Sequence, residues 1–540
     1  MTTPLITTHA PRPTARVAAA AALAGALFVP VAASSDAAPA TQPTPAMTLA
    51  ISSSTTEQLA PGVTHRSLMV GDRATTSEWV VQLTLPSGSA GVASSAVSTK
   101  AIADQAVADL AAHGLTGYAE EVITRPLADM AGSLGYRVRL GGFATQAEAT
   151  AVQKQVVAAG YPAGTWYRAW DGDNGNALSG ANPLSVHVLT VDPRRFRGEI
   201  DATYGADLVG GETVSTLAQG ALAGINAGFF VFKADGDVAG DPAGAGAYDG
   251  KILSETVGDR PALVIDGDTG RASVQRLTWV GRITSARDSL TLDGINRTPG
   301  KIRNCGGLGD DPTDLPLHDV TCHDADELVL VTPENGATTP AGEGVEVVLD
   351  AKGRIVAVHE TRGTALKAGQ VSIQGTGDRA DALRRFARRA GHGTPNKIKI
   401  TNQYRDERGR RLRLDGDTQV VNGGPMLLLR RGRQVTARRD GMVQPASPGF
   451  FYGWVHQRNP RTIAGVDAQG RLVLATADGR ITGSAGLSIA ESADLAQALG
   501  MVDALNLDGG GSTEMVVNGA VANTPSGGAE RPVGDAIVIR

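Results

Sequence analysis

From Pro183 to Arg540 the chain is a succession of short apolar runs broken by glycine-containing turns. Residues 185–191, 262–265, 327–331, 345–349, 355–358, 397–401, 472–476 and 536–539 each read as a strand. Asp-Gly, Asn-Gly and Gly-rich turns separate them. Runs this short satisfy their backbone only by pairing with one another, so residues 182–540 must fold mainly as sheets. Glycine supports this: 68 of 540 residues exceeds the usual share of about 7%. Helices are few. Residues 215–221 are a short candidate, and residues 378–390 place Leu383, Phe386 and Ala387 inward under an arginine-rich outer side. Residues 488–499 have Ser488 as N-cap, Glu491 completing a capping box and Gly500 past the end. The expected class is α+β with mixed sheets, in one large domain.

A smaller unit precedes it. Residues 78–85, 118–124, 136–140 and 165–168 are strand-like, and residues 99–113 and 145–159 are helical, the second opened by Thr145 and Glu148. The order is βαβ twice, an internal repeat on one sheet. No cluster of catalytic residue types occurs in it, so it reads as a targeting or packing module. Residues 39–76 are expected to be linker and lead-in, because the first part is rich in Pro, Ala, Ser and Thr and lacks periodicity. Residues 1–38 carry Arg12 and Arg16, an apolar run from Val17 to Ala33 and a small-residue stretch, the pattern of a cleavable export signal. The run is short for a spanning helix. The expectation is a secreted, extracellular or cell-wall-associated protein with no membrane association after cleavage. A net charge of −5 gives no global support for a nucleic-acid partner.

The two cysteines, Cys305 and Cys322, are an isolated pair that most simply forms one disulfide in an exported chain. His318 and His323 lie near, but the C-x-x-C spacing of structural zinc is missing. No metal site is assigned and no cofactor is expected. A divalent ion held by Asp508 and neighbouring asparagine oxygens stays open.

Four stretches carry chemistry: Gly224–Phe230 (GINAGFF), Val421–Leu427 (VNGGPML), His456–Thr462 (HQRNPRT) and Asp503–Gly519 (DALNLDGGGSTEMVVNG). Each sets hydrogen-bonding side chains at a strand end, mostly beside glycines that let other groups approach the backbone. Convergent Asn, Arg and Asp suit a sugar or phosphate ligand. Each has a plainer meaning too: Asn-Gly-Gly as a turn, NAGFF as a core strand end, the arginines as surface charge, His456 as a structural histidine. GGGST lacks the lysine of a phosphate loop, and no G-x-S-x-G occurs.

In combination, INAGFF, NGGPMLL, RNPRT and LNLDGGGSTEMVVNG, ending in RPVGDAIVI, resemble the phosphodiester glycosidase family over residues 184–540. The phrase GYRVRLGGFATQAEATAVQKQVVAAGYPAGTWY resembles the SPOR domain over residues 77–172. The first resemblance implies hydrolysis of a sugar-1-phosphodiester, such as an N-acetylhexosamine phosphodiester of a wall polymer, at the glycosidic C–O bond. The second implies a peptidoglycan partner. On that footing Asp508 is the key carboxylate, with Glu255 or Glu514 as a second carboxylate and His456 as proton carrier. Arg458 and Arg461 are expected to hold phosphate, Arg461 being the more structural of the two. Asn226, Asn422, Gly423, Gly509, Gly510, Ser512 and Thr513 are expected to contact the phosphorylated glycan. The loop between the cysteines is an elaboration of this chain, beside Asn296 and Arg297 as further candidate contacts. Two rival functions stand: a non-catalytic wall-glycan binder, and a wall phosphodiesterase that cleaves the P–O bond. Arginines at 384–389, 405–413 and 430–439 are either a solvated face balanced by acids or an attraction for an anionic wall polymer.

Overall fold

The computed structural model describes residues 49–173, 178, 180–232, 238–286, 288–306, 309–311, 313, 315–391 and 397–540. The signal expected at residues 1–38 lies outside them. Among the described residues six sheets and a few helices make an α+β architecture, and one parallel pairing, Gly294–Ile295 with Leu328–Val331, makes one of the sheets mixed. No described helix is long and apolar enough to cross a membrane.

An eight-stranded antiparallel sheet is the frame. Its order is Ile51–Ala60, Val63–Val70, Leu184–Val191, Leu472–Ala477, Arg461–Asp467, Met501–Asn506, Met426–Leu429 and Gly432–Arg433. The first two strands correct the expectation of linker and lead-in at 39–76 over Ile51–Val70, while residues 39–48 of that stretch lie outside the described residues. Ser and Thr alternate poorly in hydrophobicity, but a hairpin whose outer strand is an exposed sheet edge needs no alternation. A five-stranded sheet (Ala520–Val521, Met515–Val517, Ala223–Asn226, Ala536–Ile539, Ile200–Thr203) packs against this frame. A seven-stranded sheet containing Thr418–Asn422 and Pro261–Asp266 joins them. Leu189, Ile225, Leu263, Val421, Leu505, Met515 and Ile537 form their shared apolar core. The Ile489–Ala498 helix has the expected capping box, with Ser488 and Glu491 each bonding the other's backbone N–H.

The smaller unit is a four-stranded sheet ordered Gly117–Thr124, Gly132–Phe143, Trp79–Leu83, Ala163–Tyr167. The helices Lys100–Ala112 and Gln146–Ala158 supply Ala103, Leu110, Ala149 and Val156 to its core. Thr145 and Glu148 form the expected capping box. The other sheet face is filled by ions. Asp171 accepts two bonds from Arg139 (2.6 and 2.7 Å), two from Arg137 (3.2 and 3.3 Å) and one from the Trp166 indole (2.9 Å). Arg137 also donates to the Tyr452 hydroxyl at 3.2 Å, which joins this unit to the larger one. The turn-forming segment that begins at Asp171 is therefore anchored at its start, not free.

Arg137 and Arg139 are 1% and 0% exposed, so their charge has no solvent to fall back on. Replacing Asp171 by Ala should destabilise the chain by about 3–5 kcal/mol, the usual cost of stranding a buried ion partner. Denaturant unfolding of the purified chain measures it; a loss under about 1 kcal/mol contradicts this assignment.

Candidate active site

The four motif stretches meet at one end of the frame because strand pairing brings them there. Asn506 pairs with Ile463, Asn226 with Ala536, and Ile225 with Met515. Asp508 N–H donates to the Ala227 carbonyl at 3.0 Å, and Leu507 N–H to Thr462 at 2.9 Å. Gly424 N–H donates to Asn506 at 2.7 Å.

A cavity of about 220 Å³ opens over this junction. Asp508, Gly509, Gly510 and Gly511 form one side, and Phe229, Phe230, Phe232 and Trp454 an aromatic side. Arg303, Asn304, His318 and Asp319 come from the Lys301–Cys305 and Leu317–His323 hairpin. Arg461, Arg480 and Arg531 complete the lining with Asn459. A larger cleft lined by Lys251, Glu334, Asn402 and Arg411 has no comparable convergence.

Asp508 is the carboxylate that the motifs and the cavity agree on. Its side chain is 17% exposed, and one oxygen accepts from Gly509 N–H at 2.8 Å. Burial pushes its carboxyl above the usual range, against the pull of Ser512, Arg531 and the Gly509 amide. The Arg531 guanidinium lies 3.7 Å from Asp508, bonds the Ser512 hydroxyl and stacks 4.8 Å from the Phe232 ring. Arg461 is 1% exposed and has no carboxylate partner among the described residues. It donates to the Leu487 carbonyl (2.9 Å) and to Trp454, whose ring lies 4.9 Å away. Burial and the nearby Arg480 pull it down to about 9, so it remains a cation at neutral pH. Arg480 is exposed at the mouth, donating to the Asn459 side-chain Oδ1 at 2.7 and 2.9 Å.

Several expected roles change. Asn226 is 0% exposed: it donates to the Asp508 carbonyl (2.8 Å) and accepts from Thr462 (2.7 Å) and Glu514 N–H (3.1 Å). Asn422 is likewise spent on both backbone groups of Phe229, at 2.9 and 3.1 Å. They are framework, because both amides are buried, bonded to the backbone and absent from the cavity lining. Gly423 lacks a Cβ because one would meet the Asn506 carbonyl at 2.7 Å. Gly510, at φ +62°, takes the left-handed turn as expected, but a Cβ on Gly511 would strike Arg531 at 2.9 Å. Gly511 thus makes room for the protein's own guanidinium, and Gly509 for the Pro460 carbonyl, which a Cβ there would meet at 2.9 Å. Ser512 and Thr513 are buried beneath the turn, Thr513 reaching Thr462 at 3.5 Å.

Arg458 is not a cavity residue. It pairs with Glu491 at 2.6 Å and bonds the Ala169 carbonyl, the reverse of the expected division with Arg461. His456 sits in the seam near Arg137 and Gly172, its ring stacked 5.9 Å from Tyr452. Burial and Arg137 lower it to about 4, and its Nε2 is sealed without a partner, so it carries no proton to the cavity. Glu255 pairs with Arg297 at 2.6 Å, and Arg297 also pairs with Glu327 at 2.6 Å; this buried knot lies off the cavity. Asn296 bonds the Leu253 carbonyl and Thr332 inside the same knot. Glu514 is buried beside Glu530, outside the lining.

The cysteines form the expected disulfide, both buried, in the hairpin that walls the cavity. The one cation-like grouping among the described residues, Cys305, Asp310 and Cys322, has its thiols consumed by that bond. The loop between the cysteines therefore supplies His318 and Asp319, and the strand leading into it supplies Arg303 and Asn304. Its only sequence signals were the cysteine pair and the lone histidine between them. Of the outer arginines, Arg384, Arg389, Arg410 and Arg439 pair with Glu360, Asp288, Asp406 and Asp259.

Burial and the adjoining Glu530 push the Glu514 carboxyl up to about 8. Between about pH 4.5 and 8 the folded chain holds a proton that the unfolded chain has released. Unfolding then loses a proton, so stability falls as pH rises through this window. Thermal unfolding across it should show that decline, and Glu514→Gln should flatten it. An unchanged slope in the variant would contradict the pairing.

The chain matches the family model for phosphodiester glycosidase over residues 343–540 and that for the SPOR domain over residues 88–166. A crystal structure of a Burkholderia pseudomallei protein named as exported is 32% identical, aligns over 91% of this chain and 96% of that one, and has a TM-score of 0.77. A Synechocystis structure at 17% identity, covering 91% of this chain and 81% of that one with a TM-score of 0.51, shares the fold. The Mus musculus N-acetylglucosamine-1-phosphodiester alpha-N-acetylglucosaminidase is 42% identical over 78 residues, 14% of this chain and 15% of that protein. The chain thus spans about 15% of the length of the curated relative. The last third of the chain, carrying Arg461 and the Asp508 turn, is thus a phosphodiester glycosidase domain over residues 343–540, with a SPOR domain at residues 88–166 packed into the same fold.

Proposed function

We propose that this chain is an exported hydrolase that cleaves a sugar-1-phosphodiester, such as an N-acetylhexosamine phosphodiester of a wall or extracellular polymer, at the glycosidic bond. The observation that carries this reading is Asp508, a carboxylate raised by burial, facing a small cavity with an aromatic side and the guanidiniums of Arg303, Arg461, Arg480 and Arg531. Aromatic faces suit the apolar face of a sugar ring. Guanidiniums match phosphate oxygens in charge and geometry. When the C–O bond breaks, its electron pair leaves on the phosphate oxygen, where those cations stabilise it. The leaving phosphate needs no proton at neutral pH, so one carboxylate serving the incoming water, as base or as nucleophile, suffices. A divalent ion is not required by this scheme. Among the described residues Asp319, paired with Arg303, is the other carboxylate of the lining.

Export is supported by the buried disulfide and by the relative named as exported. SPOR domains generally bind peptidoglycan, so the smaller unit would hold the enzyme at the wall. Its sheet face is occupied by the Asp171 ion cluster, which leaves the helical side for such a polymer.

Hydrolysis of a sugar-1-phosphodiester in ¹⁸O-water decides the bond. The label should enter the sugar, and Asp508→Asn should lower turnover by at least about 10³-fold while folding normally. Label in the phosphate would mean P–O cleavage. Full turnover by Asp508→Asn would remove Asp508 from the chemistry.

A further inference from the structure

One lining residue has a protonation state fixed by its neighbours. His318 is 6% exposed, and its ring meets Phe229 edge-on at 4.3 Å and lies 5.4 Å from Trp454 and 6.0 Å from Phe450. Behind it stands Arg260, 5% exposed and without an ion pair among the described residues. Arg260 has Nε and one terminal nitrogen buried and unpartnered, and its other terminal nitrogen is 3.3 Å from His318 Nδ1. A guanidinium only donates. Nδ1 must therefore be the lone-pair nitrogen, and the ring proton is on Nε2. Nε2 has no protein partner among the described residues and is not among the atoms sealed from open space, while the ring lines the cavity.

We propose that His318, oriented by the buried Arg260, is a neutral Nε2–H donor to a phosphate oxygen of the substrate. This rests on the phosphodiester reading above. The charged groups facing His318 are Arg260 behind it and Arg303 on the same hairpin, and the latter is paired with Asp319; the remaining ring contacts are aromatic. Two cations and burial keep the imidazole neutral, so it gives up no proton. As the C–O electron pair moves onto phosphate, the Nε2–H bond to that oxygen strengthens and the proton stays on nitrogen. A neutral imidazole is a poor acid, and phosphate is a leaving group that needs none. Arg260 is a positioning residue: it fixes the tautomer and polarises the ring.

The test uses the full mature chain labelled with ¹⁵N, and His318 is assigned by its loss in His318→Gln. Long-range ¹H–¹⁵N spectra should show His318 as the Nε2–H tautomer, without titration from pH 5 to 8. Inorganic phosphate should shift its Nε2–H signal. Arg260→Met should give mixed tautomers and a ring that titrates in that range, a change that loss of packing alone would not make. In turnover, His318→Gln should lower kcat by on the order of 10²-fold with little change in KM and no shift of the acid limb. An Nδ1–H tautomer, titration near 6.5 in the unsubstituted chain, or a signal unmoved by phosphate would overturn the proposal. If sugar-1-phosphodiesters are not hydrolysed at all, the function fails, while the tautomer and the phosphate shift still decide the role of His318.

Discussion

The site depends on one buried amide. Asn226 is inaccessible to solvent, and its side chain bonds the Asp508 carbonyl, the Thr462 hydroxyl and the Glu514 amide. Three chain segments far apart in sequence are thereby locked to each other at the end of the frame sheet. Any drift among them would leave a buried donor or acceptor unpaired, at about 1–3 kcal/mol each. That penalty holds Asp508 against the cavity rather than leaving it on a mobile glycine turn. Asn422 repeats the device from the end of a strand in the seven-stranded sheet, clamping Phe229 by both backbone groups and so fixing the aromatic side.

The SPOR unit is joined to this arrangement through a short π-helical turn, Phe451–His456, of the sort that often marks functional sites. Tyr452 faces Arg137 and Gln82, each at 3.2 Å, while Trp454 lines the cavity two residues on. Arg458, held by Glu491 and the Ala169 and Trp170 backbone, leads to Asn459, which holds Arg480. The unit thus braces the wall of the site through Tyr452 and Arg458.

Strands, capping boxes and the βαββαβ order were legible because they follow from periodicity and local hydrogen bonding. The meeting of the four motifs was legible from their residue types, but the division of labour within them was not. An asparagine beside a glycine turn looks the same whether its amide faces a ligand or the backbone, and only the fold shows Asn226 fully buried and bonded to Asp508, Thr462 and Glu514. Arg458 and Arg461 are three apart and differ because the first meets Glu491 across the seam while the second begins a strand under the cavity. The roles of Arg303, His318 and Arg531 were not legible, since they reach the cavity through a disulfide hairpin and a C-terminal loop whose placement is tertiary. The Ser- and Thr-rich hairpin at Ile51–Val70 was missed for a related reason: an exposed edge leaves no hydrophobic alternation to read.

The central claim is that phosphate and sugar share the cavity above Asp508. A crystal structure of Asp508→Asn with a bound sugar-1-phosphodiester tests it most directly. The account predicts the phosphate among Arg461, Arg480 and Arg531, and the anomeric carbon as the sugar atom nearest residue 508. A ligand seated in the cleft of Lys251 and Arg411, or with its sugar turned away from residue 508, would contradict it.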